Sequence, residues 1–196
     1  MKERMARDKH FPAFAHDNPF RRLFFPPRRL VGPHIGPGQT AADLGCGPGY
    51  HTITLADLVG PMGKIYAVDS DERAIEILRK KADAHGCTNI DMRAQSACDL
   101  SFIADATLDF VLAHGLLCSM APKDHDCAVN EIRRILKPAG LAYLSAAKGF
   151  ISYVSRTEWV GILRGFEVVL RGKGFPVFEN RWALVRKLTS AGNSVK

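Results

Sequence analysis

The sequence predicts an α/β fold in which a doubly wound, mostly parallel sheet carries helices on both faces. From residue 40 onward, short apolar runs alternate with segments of helical period, a pattern typical of a parallel sheet with helical crossovers. Three glycines fall within five positions directly after the first apolar run, where a strand would turn into a helix. The last two apolar runs follow each other closely, which favours an antiparallel pair at the sheet edge.

Seven strands are expected, and each is a short apolar run bounded by turn residues. The second run reads Lys-Ile-Tyr-Ala-Val-Asp, and the fourth contains Leu-Asp-Phe-Val-Leu-Ala. A glycine-rich turn at 172–174 separates the final two runs. The predicted strands lie near 39–44, 64–69, 89–94, 107–113, 140–146, 167–171 and 181–187.

Helices are expected between these strands. The clearest begins with Asp71 as N-cap, runs to about His85 and stops at Gly86. Its buried face is formed by Ala74, Leu78 and Ala82.

A second helix covers about 123–137, and a third lies near 152–165. The second should end at Pro138-Ala139-Gly140, because proline cannot continue a helix. Its buried stripe is Val129, Ile132 and Leu136.

Residues 1–38 are expected to form an N-terminal extension, and 39–196 a single domain. Prolines interrupt this extension, among them Pro19, Pro26, Pro27, Pro33 and Pro37, so it allows one short helix near 18–25. Because specificity in such folds lies in segments added to the sheet, we expect the extension and residues 148–166 to form a lid over the substrate.

The net charge of +7 is concentrated at both ends of the chain. Residues 1–30 hold eight Lys/Arg against three acids, residues 148–196 hold nine against three, and the middle holds ten against fourteen. Basic ends attract nucleic acid or other anions, but they also serve as a solvated periphery. The second interpretation is favoured, because the cations do not form one run interleaved with aromatics.

The five cysteines form no C-x-x-C pair, so they predict neither a disulfide framework nor a usual zinc site. Reduced, mostly buried thiols and no bound metal are expected at Cys46, Cys87, Cys98, Cys118 and Cys127. No run approaches the roughly 18 apolar residues of a membrane span, and the start of the chain leads into charge rather than a signal-type stretch. These features favour a cytoplasmic protein.

The glycine cluster at 45–49 predicts a ligand site at the carboxyl end of the sheet. Gly45 and Gly47 would let the backbone pass close to a bound molecule, and the next helix would present N–H groups there. Asp69, at the end of the second strand, is placed to accept two hydrogen bonds from a ribose diol. These features predict a ligand that contains a nucleoside.

Two common nucleotide loops do not match. Tyr50 takes the third glycine position of the dinucleotide fingerprint, and the Gly-Lys-Ser/Thr of a P-loop is absent. The carboxylate of Asp43 before the loop would repel a pyrophosphate but suits an ammonium or sulfonium group.

Residues 43–49, Asp-Leu-Gly-Cys-Gly-Pro-Gly, resemble motif I of the class I S-adenosylmethionine-dependent methyltransferases. Val68-Asp69 resembles that family's acidic strand end, and residues 131–140 resemble the helix and turn before its fifth strand. The likeness covers about 39–147 and is nearest to the small-molecule, ubiquinone/menaquinone-type branch. It implies a Rossmann-like, seven-stranded fold and S-adenosylmethionine as cofactor.

The resemblance also implies the binding residues. The glycine loop would wrap the methionine part, Asp69 would hold the ribose, and residues after the third and fourth strands would approach the adenine and the sulfonium. The family often has an acid at the adenine position, where this chain has Ser96. The implied cofactor-binding residues are Asp43, Gly45, Cys46, Gly47, Gly49, Asp69, Ser70, Ser96, Ala97 and His114.

His114 is the best-placed titratable residue for proton transfer, although a role in lining the pocket is the preferred interpretation. Cys46 is expected to pack rather than to act as a nucleophile. His51 would support the site, and His125 lies on a segment that looks exposed, where a metal site with Asp124 and Asp126 is not favoured.

The acceptor is the least determined feature. The apolar residues after the fourth strand favour a small or partly apolar acceptor, and no Asn/Asp-Pro-Pro-Tyr/Phe segment of the nucleic-acid amino-methylating members is present. We therefore expect methyl transfer to a small molecule by in-line displacement. Alternatives are an RNA or protein methyltransferase that uses the basic ends, an arsenite-methylating enzyme, and a non-catalytic regulatory protein that binds S-adenosylmethionine.

Overall fold

A seven-stranded sheet organises the residues that the computed structural model describes, namely 26–148, 154–173 and 179–188. The strands are β1 (Thr40–Leu44), β2 (Lys64–Asp69), β3 (Ile90–Ala94), β4 (Leu108–His114), β5 (Leu136–Lys148), β6 (Phe166–Lys173) and β7 (Glu179–Lys187). The helices are α1 (Pro27–Val31), α2 (Thr52–Val59), α3 (Glu72–Ala84), α4 (Leu116–Ser119), α5 (His125–Ile135) and α6 (Arg156–Leu163), with a 3₁₀ turn at Pro122–Asp124 before α5.

The strand order is β3-β2-β1-β4-β5-β7-β6. Strands β1 to β5 are parallel, whereas β7 is antiparallel to both β5 and β6. This confirms the predicted fold class, including the antiparallel C-terminal pair. The chain order reverses between β1 and β4, so the crevice at their carboxyl ends is where an open α/β sheet binds its ligand.

Both faces of the sheet are covered by helices. On one face, Val111 and Leu144 pack with apolar residues of α4, α5 and α6 in the largest buried cluster. On the other face, Phe110 and Leu112 pack with α1 and α2. The Trp159 side chain of α6 belongs to the first cluster, so it is a core residue.

Helix α3 forms as predicted. The Asp71 side chain caps it by accepting a hydrogen bond from the Arg73 N–H at 3.0 Å. Gly86 follows the helix with a φ of +67°, a left-handed conformation that favours glycine. The expected stripe of Ala74, Leu78 and Ala82 is buried.

Helix α5 ends earlier than predicted, at Ile135 rather than near 137. Leu136 already has extended backbone and pairs with Leu108, so it opens β5 instead of closing the helix stripe. The physical reason is Pro138, whose ring disfavours helical backbone at the residue before it.

The predicted extension contains a helix that the sequence pattern missed. Helix α1 begins at Pro27, and proline is favoured at the first helical position because its fixed φ suits the helix and its missing N–H is not needed there. Its Val31 and the following Ile35 are buried in the core. The helix expected near 18–25 lies outside the described residues.

Candidate active site

The glycine loop, residues 45–49, connects β1 to α2 at the carboxyl edge of the sheet. The N–H groups of Gly45 and Cys46 donate to the Val68 carbonyl at 2.8 and 3.1 Å, which fastens the loop to the end of β2. Gly45, Gly47 and Gly49 have φ values of +72°, +52° and +83°. All three lie in the left-handed region that favours glycine, so the loop shape requires this composition.

The three glycines differ in what surrounds their missing side chains. A Cβ at Gly49 would collide with Leu78 of α3, and one at Gly45 would come within 3.2 Å of Leu116 of α4. A Cβ at Gly47 would meet nothing within 4 Å. Gly45 and Gly49 therefore allow close packing, whereas Gly47 borders open space that a ligand can fill.

The Asp69 carboxylate holds the loop from the end of β2. Its Oδ2 accepts a hydrogen bond from the Gly47 N–H at 2.8 Å, and its Oδ1 accepts one from the Asp71 N–H at 2.9 Å. Because each carboxylate oxygen offers about two lone-pair sites, each retains one acceptor site. The arrangement fits two neighbouring hydroxyl groups, as in a ribose diol. Ser70, the next residue, is exposed.

Asp43 lies beneath the loop and is only 3% exposed. Its Oδ2 accepts a hydrogen bond from the Thr52 hydroxyl at 2.6 Å. Burial raises the pKa of Asp43 to about 7, the Thr52 hydrogen bond opposes this rise, and the charge of Asp69 adds to it. This carboxyl therefore changes charge near neutral pH, and a nearby cation would favour its ionised form.

Cys46 is buried within the loop. Burial raises the pKa of its thiol, and the charges of Asp43 and Asp69 raise it further. A thiol that stays protonated is a poor nucleophile, so the structure agrees with a packing role.

The loop after β3 carries the two residues implied for adenine. Ala97 is buried, whereas Ser96 is exposed and its Oγ accepts a hydrogen bond from the Cys98 N–H at 3.2 Å. The Gln95 N–H donates to the Asp69 carbonyl at 2.9 Å, so this loop starts beside the Asp69 backbone.

His114, the last residue of β4, belongs to an aromatic row formed by His51, His114, Tyr143 and Trp182. The His114 ring centroid lies 5.0 Å from that of His51 and 6.1 Å from that of Tyr143. The Tyr143 and Trp182 centroids are 5.8 Å apart, with ring planes within 15°. The row begins next to the glycine loop and crosses β5 and β7.

Sequence reasoning missed this row because its rings come from α2's N-cap and three strands. His51 precedes α2, and its ring contacts that of Tyr50 edge-on at 4.9 Å. A signal was present in the alternation of the late strands, since Tyr143 and Trp182 occupy positions that face the same side as His114.

The prediction of reduced cysteines is wrong for one pair. Cys98 and Cys127 are joined as a disulfide with their Cα atoms 5.0 Å apart, whereas Cys46, Cys87 and Cys118 are free. A separation of 29 residues hides this pair from spacing rules, because the loop after β3 meets α5 only in the folded chain. Cys46 is buried, and the other two free thiols are half-buried.

The exposed position expected for His125 is also wrong. Its side chain is 3% exposed, and its Nε2 lies 2.8 Å from the Leu117 carbonyl oxygen, which ties α5 to α4. Among the described residues, the cluster with ligand atoms close enough for a metal ion consists of Cys98, Asp124 and Cys127, and only with the disulfide reduced would its thiols be free to bind one. Neither His125 nor Asp126 belongs to it.

The sheet brings the predicted binding residues to one edge, at the carboxyl ends of β1 to β4. Their contacts with a ligand stay predictions. Within the described ranges, no helix has the length and apolar character needed to cross a membrane.

Residues 35–156 match the family model described as a methyltransferase domain. The match spans more than half of the chain, so the chain belongs to this family. S-adenosylmethionine is the cofactor that accompanies the family and its fold.

Relatives that are named as methyltransferases agree with this assignment. The chain is 32% identical over 108 residues to a demethylmenaquinone methyltransferase of Geobacillus stearothermophilus, covering 55% of this chain and 45% of that protein. It is 31% identical over 122 residues to an arsenite methyltransferase of Aquipseudomonas alcaligenes, covering 59% and 35%. The chain thus spans less than half the length of these relatives.

Solved structures show the same fold. A SAM-dependent methyltransferase from Aquifex aeolicus superposes with a TM-score of 0.75 at 21% identity, covering 91% of this chain and all of that one. A magnesium protoporphyrin IX methyltransferase from Synechocystis with bound SAM superposes with a TM-score of 0.67 at 18% identity, covering 83% and 76%.

Proposed function

We propose that this domain transfers the methyl group of S-adenosylmethionine to a small, planar, partly apolar acceptor that lies against the aromatic row. The observation that carries the proposal is the position of this row, which starts at His114 beside the glycine loop and continues over Tyr143 to Trp182.

The cofactor half of the proposal rests on the fit of the residues present. The backbone at Gly47 would hold the methionine part in the open space beside it, and Asp69 would accept hydrogen bonds from the ribose hydroxyls. Ser96 and Ala97 would border the adenine. Ionised Asp43 would favour the cationic end of the cofactor from beneath the loop.

When bound, S-adenosylmethionine supplies a methyl group whose leaving group is already activated. The residues of the chain therefore contribute mainly by holding the reactants in line and by excluding water. His114 is the candidate to accept a proton at a ring nitrogen when the acceptor carries a hydroxyl group. A role in binding alone is the alternative for this residue.

The acceptor half of the proposal rests on the aromatic row. Tyr143 is buried and stacks with both neighbours, so a planar ligand would reach the half-buried rings of His114 and Trp182. Such stacking gains about 1 kcal/mol per ring pair beyond the area it buries. Leu170, which pairs with Leu184 on the same face, is 56% exposed, so apolar surface continues beside the row. Burial raises the pKa of Tyr143 to about 12, so its phenol does not serve as a base near neutrality.

These features favour a hydroxylated aromatic acceptor such as a reduced naphthoquinone. The name of the demethylmenaquinone methyltransferase relative points to the same chemical class. The name of the arsenite methyltransferase relative points to a different class, so arsenite is the natural competitor in a test.

The test measures formation of S-adenosylhomocysteine by the full chain with three acceptors: a naphthohydroquinone, sodium arsenite and bulk RNA. We expect turnover with the naphthohydroquinone only. Turnover with arsenite alone would replace the proposed acceptor by arsenite. Methylation of RNA, with RNA binding that falls steeply as salt rises, would replace it by RNA. Tight cofactor binding without turnover on any of them would favour the regulatory alternative.

A further inference from the structure

The disulfide between Cys98 and Cys127 lies close to the loop implied in adenine binding. Cys98 is in the loop after β3, and Cys127 is in the first turn of α5. Both residues are half-buried, so small reagents in solution reach them. Their Cα separation of 5.0 Å is within the usual range for a disulfide, so the backbone is already placed for the bond.

Cys98 is part of the same turn as the adenine-loop residues. Its N–H donates to the Ser96 Oγ at 3.2 Å, and the Asp99 N–H donates to the Ser96 carbonyl at 3.0 Å. A bond at Cys98 therefore restrains Ser96 and Ala97 directly. Nothing in the proposed methyl transfer uses this pair.

The rest of the loop is held to α5 without the disulfide. The Leu100 N–H donates to Glu131 Oε2 at 2.8 Å, and the Arg134 guanidinium donates to the carbonyls of Leu100 and Ile103, both at 2.8 Å. Arg134 also pairs with Glu131 at 2.7 Å. Opening the disulfide would thus loosen the turn at exposed Ser96 and half-buried Cys98, while buried Ala97 stays in the core cluster and the segment from Leu100 onward stays anchored.

We propose that Cys98 and Cys127 form a redox-modification site, whose oxidation by a small-molecule disulfide clamps the adenine loop to α5 and strengthens cofactor binding. The consequence for the cofactor rests on the proposed function. Cofactor binding should become stronger because a loop that is ordered before the ligand arrives removes part of the entropy cost of binding.

The chemistry balances as thiol–disulfide exchange. One protein thiolate attacks the disulfide of the reagent, and a mixed disulfide forms as one reagent thiolate leaves. The second protein thiolate then attacks the protein sulfur, which releases the other reagent thiolate. The protein loses two electrons and two protons, and the reagent becomes two thiols.

The first experiment counts thiols in the full chain by alkylation under denaturing conditions after treatment with oxidised glutathione. We expect three alkylated cysteines in the oxidised protein and all five after reduction, because three cysteines are free in the structure. Five after oxidation would overturn the site. In a parallel alkylation of the folded, reduced protein, protection of both thiols by zinc, with Asp124 as a further ligand, would replace the redox site by a metal site.

The second experiment titrates both forms with S-adenosylmethionine. We expect the dissociation constant to rise about fivefold on reduction, as pre-ordering of a short loop suggests. Cys98→Ser and Cys127→Ser should bind as the reduced protein does in both conditions, and Cys87→Ser, which alters a free thiol, should respond like the unaltered chain.

Equal affinities of the two forms would overturn the coupling between the bond and the cofactor. The thiol count is independent of the cofactor, so it also separates the two proposals. A chain that forms the bond but binds no cofactor in either form would contradict the proposed function and leave the redox site in place.

Discussion

The two halves of the sheet present different chemistry at the same edge. Around β1, β2 and β3 the site is made of backbone amides, glycines and two carboxylates, Asp43 and Asp69. Around β4, β5 and β7 it is made of aromatic rings that stack on one another. The first half suits a ligand with many hydrogen-bonding groups, and the second suits a flat one. Under the proposed function, the first half, or cofactor half, binds the cofactor, and the second half, or acceptor half, sets the acceptor.

The largest expected effect concerns the buried carboxyl of the cofactor half. The pKa of Asp43 is about 7 in the folded chain, whereas a carboxyl of the unfolded chain has a pKa of about 4. Between these pH values Asp43 carries a proton only in the folded chain. Stability from this group is thus greatest below pH 4 and falls as the pH rises to 7. At about 1.4 kcal/mol per pKa unit, the fall is at most about 4 kcal/mol.

The free energy of unfolding of the unaltered chain and of Asp43→Asn, measured from pH 4 to pH 8 without cofactor, checks this expectation. The variant should lack this part of the pH dependence, because an amide does not titrate. Parallel curves for the two proteins would show that Asp43 titrates normally.

The next effect separates packing from ligand binding within the glycine loop. Gly49→Ala should lower the free energy of unfolding by about 3 kcal/mol, since it adds backbone strain at a φ of +83° to a collision with Leu78. Gly47→Ala should lower it by only about 1 kcal/mol but weaken S-adenosylmethionine binding at least about tenfold, because its methyl group enters the open space.

Gly86→Ala is the matched control for these two variants. Its φ is +67° and its added Cβ would meet nothing within 4 Å, so it carries the backbone strain alone and lies outside the loop. Thermal or urea unfolding and calorimetric titration give both quantities. Equal cofactor affinities of the Gly47 and Gly86 variants would mean that the ligand does not occupy the space beside Gly47.

The smallest effect belongs to the acceptor half. Trp182→Ala should lower kcat/KM for the aromatic acceptor about fivefold to tenfold, with cofactor affinity unchanged, since one stacked ring is lost. Trp182→Phe should retain most of the activity. Val160→Ala, at a half-exposed position of α6, serves as a control away from the row.

A loss of cofactor affinity in Trp182→Ala would break the division between the two halves. An unchanged kcat/KM would instead remove Trp182 from the acceptor surface. Steady-state rates measured over a range of both cofactor and acceptor concentrations distinguish the two results.

Much of the cofactor half was predictable because its signals are local in sequence. The strands up to β4, the capping residue Asp71 and the glycines of the loop each depend on neighbours a few positions away. The carboxyl-end position of Asp69 followed from the alternation of strands and helices. Its bonds to the Gly47 and Asp71 N–H groups then add detail that only coordinates supply.

The acceptor half was less predictable because its contacts join distant segments. The stacking of Tyr143 on Trp182 depends on β7 pairing with β5, and the Cys98–Cys127 bond depends on α5 meeting the loop after β3. His125 appeared exposed among charged neighbours, yet its side chain turns inward at the start of α5. Such features follow from tertiary packing rather than from local patterns.

The most direct test of the account is a calorimetric titration of the unaltered chain, Asp69→Asn and Asp69→Ala with S-adenosylmethionine and with S-adenosylhomocysteine. The unaltered chain should bind both with dissociation constants of tens of micromolar or lower, on the order of −6 kcal/mol or stronger. Asp69→Ala should bind roughly 100-fold more weakly, because a charged acceptor of two hydroxyl groups and of the Gly47 N–H is lost. Asp69→Asn should fall between them. No binding of either compound to the unaltered chain, or equal binding to all three proteins, would contradict the account.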